Sequence, residues 1–241
     1  MPPARARQPR QSPEKSLARL TDIAEAATAC FSETGFRRTQ VADIARRMGV
    51  SVGTLYLYAD SKEALFHLAV MHVTKQPLAA LPVPVTDPGI HETTRLLTSE
   101  VASRSLWPTL KAALASGRAP DLVTLEAIGA ENYDTLTQER RTIWLLDACN
   151  LDIPELNTIY RRNVRGTYLA DLMAYMERVA SPSWSAPQKF LAIRAAVEIL
   201  AWAAMHRRRE QELPDELHAS ETEARNAAKR CFASALLGMA D

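Results

Sequence analysis

Apolar residues recur along the chain at the spacing of an α-helix. In the first long segment, the apolar positions follow one another at steps of three and four residues: Leu20, Ile23, Ala24, Ala27 and Phe31. This spacing places them on one face of a helix. No segment alternates convincingly between apolar and polar residues between Gly or Asn-Gly turns, so no β-sheet is expected. The pattern predicts an all-α fold.

The prolines divide the chain into helical windows. Because proline lacks the backbone N–H and is tolerated only in the first turn of a helix, the proline-free windows are helix candidates. They predict helices over residues 14–34, 40–48, 52–58, 61–75, 89–105, 108–116, 121–148, 154–180, 187–209 and 219–238. Several prolines cluster between residues 75 and 88 and mark a domain boundary. We expect a disordered basic arm at 1–13, one domain at 14–77 and a second at 78–241.

Composition excludes several classes of protein. The content of 47% hydrophobic and 24% charged residues is typical of a globular core and not of a disordered chain. The longest apolar stretch, residues 190–205, carries Arg194 and Glu198, so no membrane span is expected. The basic N-terminus is not followed by the apolar run of a secretory signal. Three scattered cysteines (Cys30, Cys149 and Cys231) favour reduced thiols over a disulfide frame or a zinc site, and we expect a cytoplasmic location.

Charge is distributed unevenly along the chain. The formal net charge is +1, but residues 1–75 carry +4 and the remaining residues carry −3. A basic head on an acidic body suggests that the head meets an anionic partner. A difference of a few charges also arises by chance, so it supports an anionic partner only together with a motif.

Residues 40–58 have the pattern of two short helices joined by a tight turn. Gly49 lies at the turn, where positive φ is expected, and Ala45 lies where the two helices must approach closely. Ser51 can cap the second helix. The apolar positions that would lock the pair together are Val41, Ile44, Met48, Val50 and Leu55. Such a unit puts its second helix into the major groove of DNA, although any tight helix pair with glycine in its turn fits the same pattern.

The flanking residues extend the pattern. The first helix ends in Cys-Phe-Ser-Glu-Thr-Gly-Phe at 30–36 with Gly35 as its stop, and Asp-Ser-Lys-Glu-Ala-Leu-Phe at 60–66 begins a further helix. From Phe31 to Leu65 the succession closely resembles the N-terminal signature of the TetR family of bacterial transcriptional regulators. The resemblance covers only this part of the chain. It implies an N-terminal three-helix helix-turn-helix DNA-binding domain followed by a larger helical-bundle C-terminal domain for effector binding and dimerisation.

Two features depart from the family signature. Ala59 stands where the family usually has phenylalanine, and we expect Phe66 or Phe36 to fill the space. Ala42 and Val52 stand where basic or polar residues are common. The second helix of the pair therefore has no Arg, Lys, Asn or Gln aimed at bases, which excludes bidentate contact with guanine from this helix.

The resemblance and the exposed face of the second helix give a predicted set of DNA contacts: Thr39, Gln40, Val52, Gly53, Thr54, Tyr56, Leu57, Tyr58 and Lys62. We assign four of them to phosphates, which fix orientation without reading sequence: Thr39, Tyr56, Tyr58 and Lys62. Gln40, Thr54 and Val52 are assigned to base edges, the valine through thymine methyl groups. Packing against the first helix is an alternative role for Tyr56. The arm with Arg5, Arg7 and Arg10 enters a minor groove or stays an unordered tail.

The last two predicted helices carry apolar stripes interspersed with alanines. The residues assigned to a dimer interface are Leu191, Ala195, Ile199, Trp202, Phe232, Ala235 and Leu236. An ordinary intramolecular core would give the same stripe, and the family resemblance favours a homodimer. A two-fold dimer on DNA predicts a palindromic operator.

Large or soft side chains on the middle helices are candidate ligand contacts. They are Trp107, Tyr133, Trp144, Cys149, Tyr160, Tyr168, Met173 and Met176. Each of them fits a core position equally well. A pocket with this lining would favour an apolar or aromatic small molecule.

The predicted function is a sequence-specific DNA-binding regulator. Family resemblance implies a repressor that such an effector releases from a palindromic operator, but the residues do not distinguish a repressor from an activator. The sequence has no Gly-rich phosphate loop, HExxH or GxSxG motif, and its five histidines are dispersed. We therefore expect no enzyme, metal or cofactor. A helical protein-interaction adaptor with a degenerate helix-turn-helix is the alternative, because residues 52–58 contain so few base-reading side chains.

Overall fold

A computed structural model describes residues 13–104, 106–159, 165–209, 214 and 217–240. The helices are α1 (Pro13–Arg38), α2 (Val41–Met48), α3 (Val52–Tyr56), α4 (Lys62–Val73), α5 (Ile90–Arg104), α6 (Pro108–Ala115), α7 (Leu122–Cys149), α8 (Pro154–Thr158), α9 (Thr167–Met176), α10 (Ala186–Ala201) and α11 (Glu221–Leu237). A 3-10 turn covers Leu78–Ala80, and α10 continues as a π-helical turn at Trp202–His206 and a 3-10 turn at Arg207–Arg209. The predicted all-α fold is confirmed over these residues, which contain no strand.

Two sequence predictions involve residues outside the described ranges. The arm with Arg5, Arg7 and Arg10 lies outside the described residues, as does Tyr160. Of the helix predicted over 154–180, the structure describes α8 up to Thr158 and α9 from Thr167 to Met176. Ile159, Arg165 and Gly166 are π-helical on either side of the residues that lie outside the described ranges, so a single helix over this stretch stays a prediction. In the part of the chain that the structure describes, no helix is long and apolar enough to cross a membrane.

The chain divides into two compact units. The first holds the residues up to Leu97 together with Ala148–Ile153, and the second holds Thr98–Asp147 and the residues from Pro154 onward. The boundary expected at 77/78 lies inside the first unit, because the proline-rich segment pairs with the segment between α3 and α4. The Val85 N–H donates to the Tyr58 carbonyl at 2.8 Å, and the Asp60 N–H donates to the Val85 carbonyl at 3.1 Å.

An aromatic cluster forms the centre of the first unit. The ring of Phe31 lies 5.8 Å from that of Phe36 and 5.3 Å from that of Phe66, and the last two are 5.2 Å apart. Ala59 is fully buried and forms an isolated bridge with Val85. The backbone segment after Pro84 therefore lies beside the position where the family signature has phenylalanine, a neighbour that the sequence did not indicate.

Gly35 stops the regular part of α1, as the sequence predicts, and allows a close backbone approach. Its φ of 81° and ψ of 172° lie in a region that side chains disfavour. A Cβ atom at this position would lie 2.7 Å from the Ala148 carbonyl oxygen. Next to it, the Arg37 N–H donates to Asp152 Oδ2 at 2.7 Å. The residues that follow the main part of α7 thus complete the first unit at the end of α1.

The second unit is a helical bundle with its own core. Side chains from α6, α7, α9, α10 and α11 contribute to that core. The backbones of α7 and α11 approach closely at Gly129, where a Cβ atom would lie 2.8 Å from Phe232 Cδ1. Phe232 and Leu236 are fully buried. Both side chains therefore pack in the core of their own chain and not against a second copy.

We expect the stability of the first unit to fall in mild acid because of His67. Burial lowers the pKa of its imidazole below the ordinary value of 6.5, against the smaller opposing effect of Asp87 and Glu92, and its Nδ1 lies 2.9 Å from Thr93 Oγ1. The unfolded chain then takes up the proton first, so stability is complete above about pH 6.5 and is lost as the pH falls through the window below it. In urea unfolding at several pH values, the free energy of unfolding should fall less with acid in His67→Gln than in the wild-type protein. The same pH dependence of the free energy of unfolding in both proteins would contradict the assignment.

Candidate nucleic-acid interface and cavity

The helix pair α2–α3 is held by its turn. Gly49 has φ 66° and ψ 31°, and the N–H of Val50 donates to the Ala45 carbonyl at 3.0 Å, which closes the end of α2. Ser51 Oγ accepts from the Thr54 N–H at 3.1 Å and so caps α3. These contacts fix the direction in which α3 leaves the turn. The roles that the sequence assigned to Gly49 and Ser51 therefore match the geometry.

The short helix α3 has one buried and one exposed side. Leu55 is 1% exposed and anchors the helix, whereas Val52, Tyr56 and Leu57 are exposed at 37%, 47% and 61%. Gly53 is also exposed, and Thr54 is half-buried with its hydroxyl 2.9 Å from that of Ser51. The exposed side chains Val52, Tyr56 and Leu57 are apolar or aromatic. Of the two roles weighed for Tyr56, exposure favours an outward one.

Thr39 is the clear correction among the predicted contacts. Its side chain is fully buried. The hydroxyl lies 2.7 Å from the Gly35 carbonyl and 2.7 Å from the Thr34 hydroxyl. Because the chain folds back after Gly35, this threonine closes the end of α1 and its hydroxyl does not face solvent. A phosphate cannot reach it in this arrangement.

Three further predicted contacts differ in the exposure and existing contacts of their side chains: Tyr58, Lys62 and Gln40. Tyr58 is only 6% exposed, so packing is the main role of its ring. Lys62 is half-buried at the start of α4, where its Nζ donates to the Arg37 carbonyl at 3.2 Å and lies 4.6 Å from the centre of the Phe36 ring. Gln40 is exposed at the start of α2, and its backbone N–H donates to Asp43 Oδ2 at 3.0 Å. Phosphate or base contact by these three stays a prediction.

A bidentate ion pair joins the first two helices. Arg47 Nη1 and Nη2 donate to the two carboxylate oxygens of Glu33 at 2.8 and 2.7 Å. This pairing raises the pKa of Arg47 above its ordinary value. The pair holds α2 against α1, and Glu33 serves as the counter-ion of Arg47. The sequence did not indicate it, since the two residues are distant along the chain.

The comparison with known families addresses the same segment. Residues 23–69 match the family model of bacterial regulatory proteins, tetR family. This chain carries the DNA-binding domain of the TetR family. The match runs from within α1 to within α4 and contains the whole helix pair with its turn. The TetR-family protein is accordingly a DNA-binding transcriptional regulator and not an enzyme.

Three solved structures align with this chain over most of their length, at low sequence identity and with TM-scores below 0.5. A protein from Mesorhizobium loti MAFF303099 assigned to the TetR family is 17% identical, with 94% of this chain and 97% of that chain covered at a TM-score of 0.43. A TetR/AcrR-family regulator from Thermobifida fusca is 20% identical, with 90% and 97% covered and a TM-score of 0.38. The fatty acid degradation regulator FadR from Bacillus halodurans is 16% identical, with 98% of each chain covered and a TM-score of 0.39. No curated protein matches the sequence.

The second unit of the TetR-family protein contains a partly enclosed cavity of about 250 Å³. Trp107 and Tyr168, two of the predicted ligand contacts, line it with their ring centres 4.6 Å apart. Apolar side chains complete the walls: Val101, Leu136, Ile143, Leu146, Val197 and Met205. Charged side chains also line the cavity, which the predicted apolar lining did not include: Arg104, Glu139, Asp147, Arg165, Arg194 and Glu198.

The other predicted ligand contacts lie elsewhere. Cys149 belongs to the first unit, where its thiol donates to the Phe31 carbonyl at 3.7 Å and burial raises its pKa to about 12. Tyr133 is buried, and its hydroxyl donates to Glu221 at 2.5 Å. Met173 lines a separate surface groove. Trp144 and Met176 pack into the core of the second unit. These five do not line this cavity, because periodicity identifies a buried face but not which part of it borders a cavity. Ligand contact by them stays a prediction.

The predicted dimer stripe divides into an exposed and a buried part. Leu191 and Trp202 are exposed at 65% and 47%, and Ala195 and Ala235 are exposed with them. Ile199 is half-buried and lines a groove between α10 and α11 together with Trp202 and Cys231. Phe232 and Leu236 are removed from the predicted interface, because both are fully buried in the core of their own chain.

Proposed function

We propose that this TetR-family protein is a sequence-specific repressor. It acts as a homodimer on a palindromic operator and is released by an apolar or aromatic small molecule. The observation that carries the proposal is the exposed apolar side of α3 and its C-cap residue, after a capped turn. Solvent-exposed valine and tyrosine on this helix and leucine directly after it are unfavourable in water, and they contact DNA when the helix enters the major groove.

Base reading on this helix depends on apolar contact. Val52 at the first position of α3 fits thymine methyl groups, while Gln40 and Thr54 supply the polar contacts to base edges. Tyr56 and Lys62 serve the phosphates, with Tyr58 in a lesser role. Thr39 is left out of the phosphate contacts because its hydroxyl is buried. An operator with thymines opposite Val52 follows from this assignment.

Pairing of two chains uses the exposed face of α10 and α11. Leu191, Ala195, Trp202 and Ala235 supply apolar or small side chains there, and such surfaces mark association sites. A two-fold axis through this face would generate a closed dimer. The dimer would present two α3 helices to successive turns of the duplex.

Release by an effector needs a physical link between the cavity and the DNA-binding unit. Helix α7 supplies one, since its residues Ile143 and Leu146 line the cavity and the residues from Ala148 belong to the first unit. In the first unit Asp152 accepts from the Arg37 N–H. A ligand that shifts α7 would act on the end of α1 and thereby on the helix pair. Such coupling is reciprocal, so operator DNA would weaken effector binding by the same factor.

Selection of bound fragments from a random DNA pool, followed by sequencing, tests the proposal. We expect an enriched palindrome with thymines in each half-site, and sedimentation of the protein as a dimer at the concentration used. Binding that shows no enriched sequence and vanishes as salt rises would reflect phosphate attraction alone. That result would overturn the repressor proposal in favour of the helical adaptor.

A further inference from the structure

The lining of the cavity in the second unit indicates the chemistry of its ligand. This inference rests on the proposed function, because it takes the cavity as the effector site. At about 250 Å³ the cavity lies below the range of about 300–1,000 Å³ that is usual for drug-sized ligands. The tilted pair of Trp107 and Tyr168 forms an aromatic wall on one side. A small, flat molecule fits such a wall better than a long chain does.

Two buried polar atoms on the lining lack a hydrogen-bond partner among the described residues. They are Trp107 Nε1 and Asn132 Oδ1, on side chains that are 6% and 3% exposed. The Tyr168 hydroxyl, on a side chain that is 2% exposed, lies beside the Asn132 amide but has no acceptor for its own proton among the described residues. Buried polar groups in folded proteins are nearly always paired, and an unpaired one costs free energy. An indole N–H can only donate. A ligand that satisfies these atoms must therefore offer an acceptor to Trp107.

The backbone at Trp107 supports a role in binding. This residue has φ 45° and ψ 54°, a left-handed conformation that non-glycine residues rarely adopt. The start of α6 holds it there, because Glu131 Oε1 accepts from the Thr109 N–H at 3.0 Å and from the Thr109 hydroxyl at 2.6 Å. Strain of this kind persists where the surrounding structure enforces it, often at ligand sites. The fold thus keeps an unpaired indole N–H at the cavity.

The charges on the lining leave one cation without a counter-ion. Arg104 pairs with Glu139 at 3.4 Å, and Arg194 pairs with Glu198. Asp147 also has an interaction partner. Arg165 is half-buried and has no ion pair within 4.0 Å in the part of the chain that the structure describes. Arg165 is therefore the arginine of the lining without a counter-ion among the described residues, while the three arginines and three carboxylates of the lining balance in formal charge.

Arg165 and the aromatic wall lie on one helical segment. Arg165 precedes Tyr168 by three residues, so the two side chains occupy neighbouring positions on the same side. Arg165 also lines the surface groove with Phe190 and Met173, which puts it between the cavity and the outside. A ligand with its charged end at Arg165 and its flat body against Trp107 would satisfy both features.

We propose that the effector is a small aromatic carboxylate. Its carboxylate binds Arg165, which presents the planar fork that matches this group. Its ring lies against Trp107 and Tyr168, and an oxygen acceptor takes the hydrogen bonds of Trp107 Nε1 and Tyr168 OH. A neutral molecule of the same shape would leave the Arg165 charge uncompensated. A cationic one would be repelled.

Calorimetric titration of the full chain with three compounds of one shape tests the proposal. The probes are 2-naphthoate, 2-naphthamide and 2-naphthylmethylamine at neutral pH. We expect naphthoate to bind at least about tenfold more tightly than the amide, and the amine to bind most weakly. Arg165→Gln should remove the preference for naphthoate. The matched variant Arg230→Gln, at an arginine with 76% side-chain exposure on α11, should keep it.

A second variant tests the aromatic wall independently. Tyr168→Phe deletes only the hydroxyl and should weaken naphthoate about threefold to tenfold, with circular dichroism to check the fold. Equal affinities for the three probes, a preference for the amine, or no heat with naphthoate at millimolar concentration would overturn the proposal. Operator binding is measured separately, first on protein without probe and then on protein saturated with naphthoate. Operator binding without carboxylate preference defeats this proposal alone, and carboxylate binding without operator release defeats the proposed repressor mechanism alone.

Discussion

Replacing Val52 with aspartate is expected to lower operator affinity by at least about 100-fold. The first position of α3 faces bases and phosphates in the proposed complex, and a carboxylate there meets negative charge where a methyl contact was lost. Like charges brought together in an interface cost several kcal/mol, which corresponds to this loss. An acidic residue in the first turn of a helix is favourable for the helix itself, so the fold should persist. Fluorescence anisotropy with a labelled selected operator measures the effect.

A second exposed valine provides the matched control. Val123 lies in the first turn of α7 and is 79% exposed. Val123→Asp introduces the same charge at the same kind of helix position, in the second unit. We expect unchanged operator affinity and an unchanged thermal transition for this variant. If Val52→Asp bound the operator as the wild-type protein does, α3 would not be the reading helix.

Replacing Gly35 with alanine should destabilise the first unit by at least about 3 kcal/mol. The backbone there has φ 81° and ψ 172°, a conformation that is essentially confined to glycine and costs other residues about 1–3 kcal/mol. The added Cβ would also lie 2.7 Å from the Ala148 carbonyl oxygen, and a backbone atom cannot move away at small cost. Thermal unfolding by circular dichroism should show a fall in Tm of at least about 10 °C.

Gly89→Ala separates the two contributions to that loss. Gly89 belongs to the same unit and has φ 89°, but a Cβ there would meet nothing within 4 Å. In Gly89→Ala, the free energy of unfolding should therefore fall only by the cost of the backbone conformation. All four tryptophans lie in the second unit, so their fluorescence reports that unit while circular dichroism reports both. Equal losses in the two variants would show that the approach of Ala148 to Gly35 does not matter for stability.

The sequence predicted the elements that depend on local backbone chemistry. Gly49 and Ser51 were assigned from the cost of positive φ and the need to cap a helix, and both have those roles in the structure. The proline-free windows located nearly every helix for the same reason. The DNA-binding unit was identified because its residues combine several such local requirements at fixed spacing. Local chemistry acts between near neighbours in sequence and can therefore be read from it.

Features that depend on distant neighbours could not be predicted. An apolar stripe looks the same whether it packs on its own chain, as Phe232 does, or faces a second copy, as proposed for Leu191. Cys149 lies on a buried face, yet it packs in the first unit and not beside the cavity. Arg165 is not singled out by the sequence, because only the folded chain shows which carboxylates already have partners. The buried hydroxyl of Thr39 escaped prediction because the chain turns back after Gly35.

The contribution of Ala148–Ile153 to the first unit has a practical consequence for protein engineering. A hybrid regulator made with a single fusion point after Leu97 would lack these residues. The Arg37 amide would lose its acceptor, and the small space beside Gly35 would open to water. Exchange of sensing modules onto this head therefore requires two crossover points, with the short stretch after Asp147 carried along as part of the head.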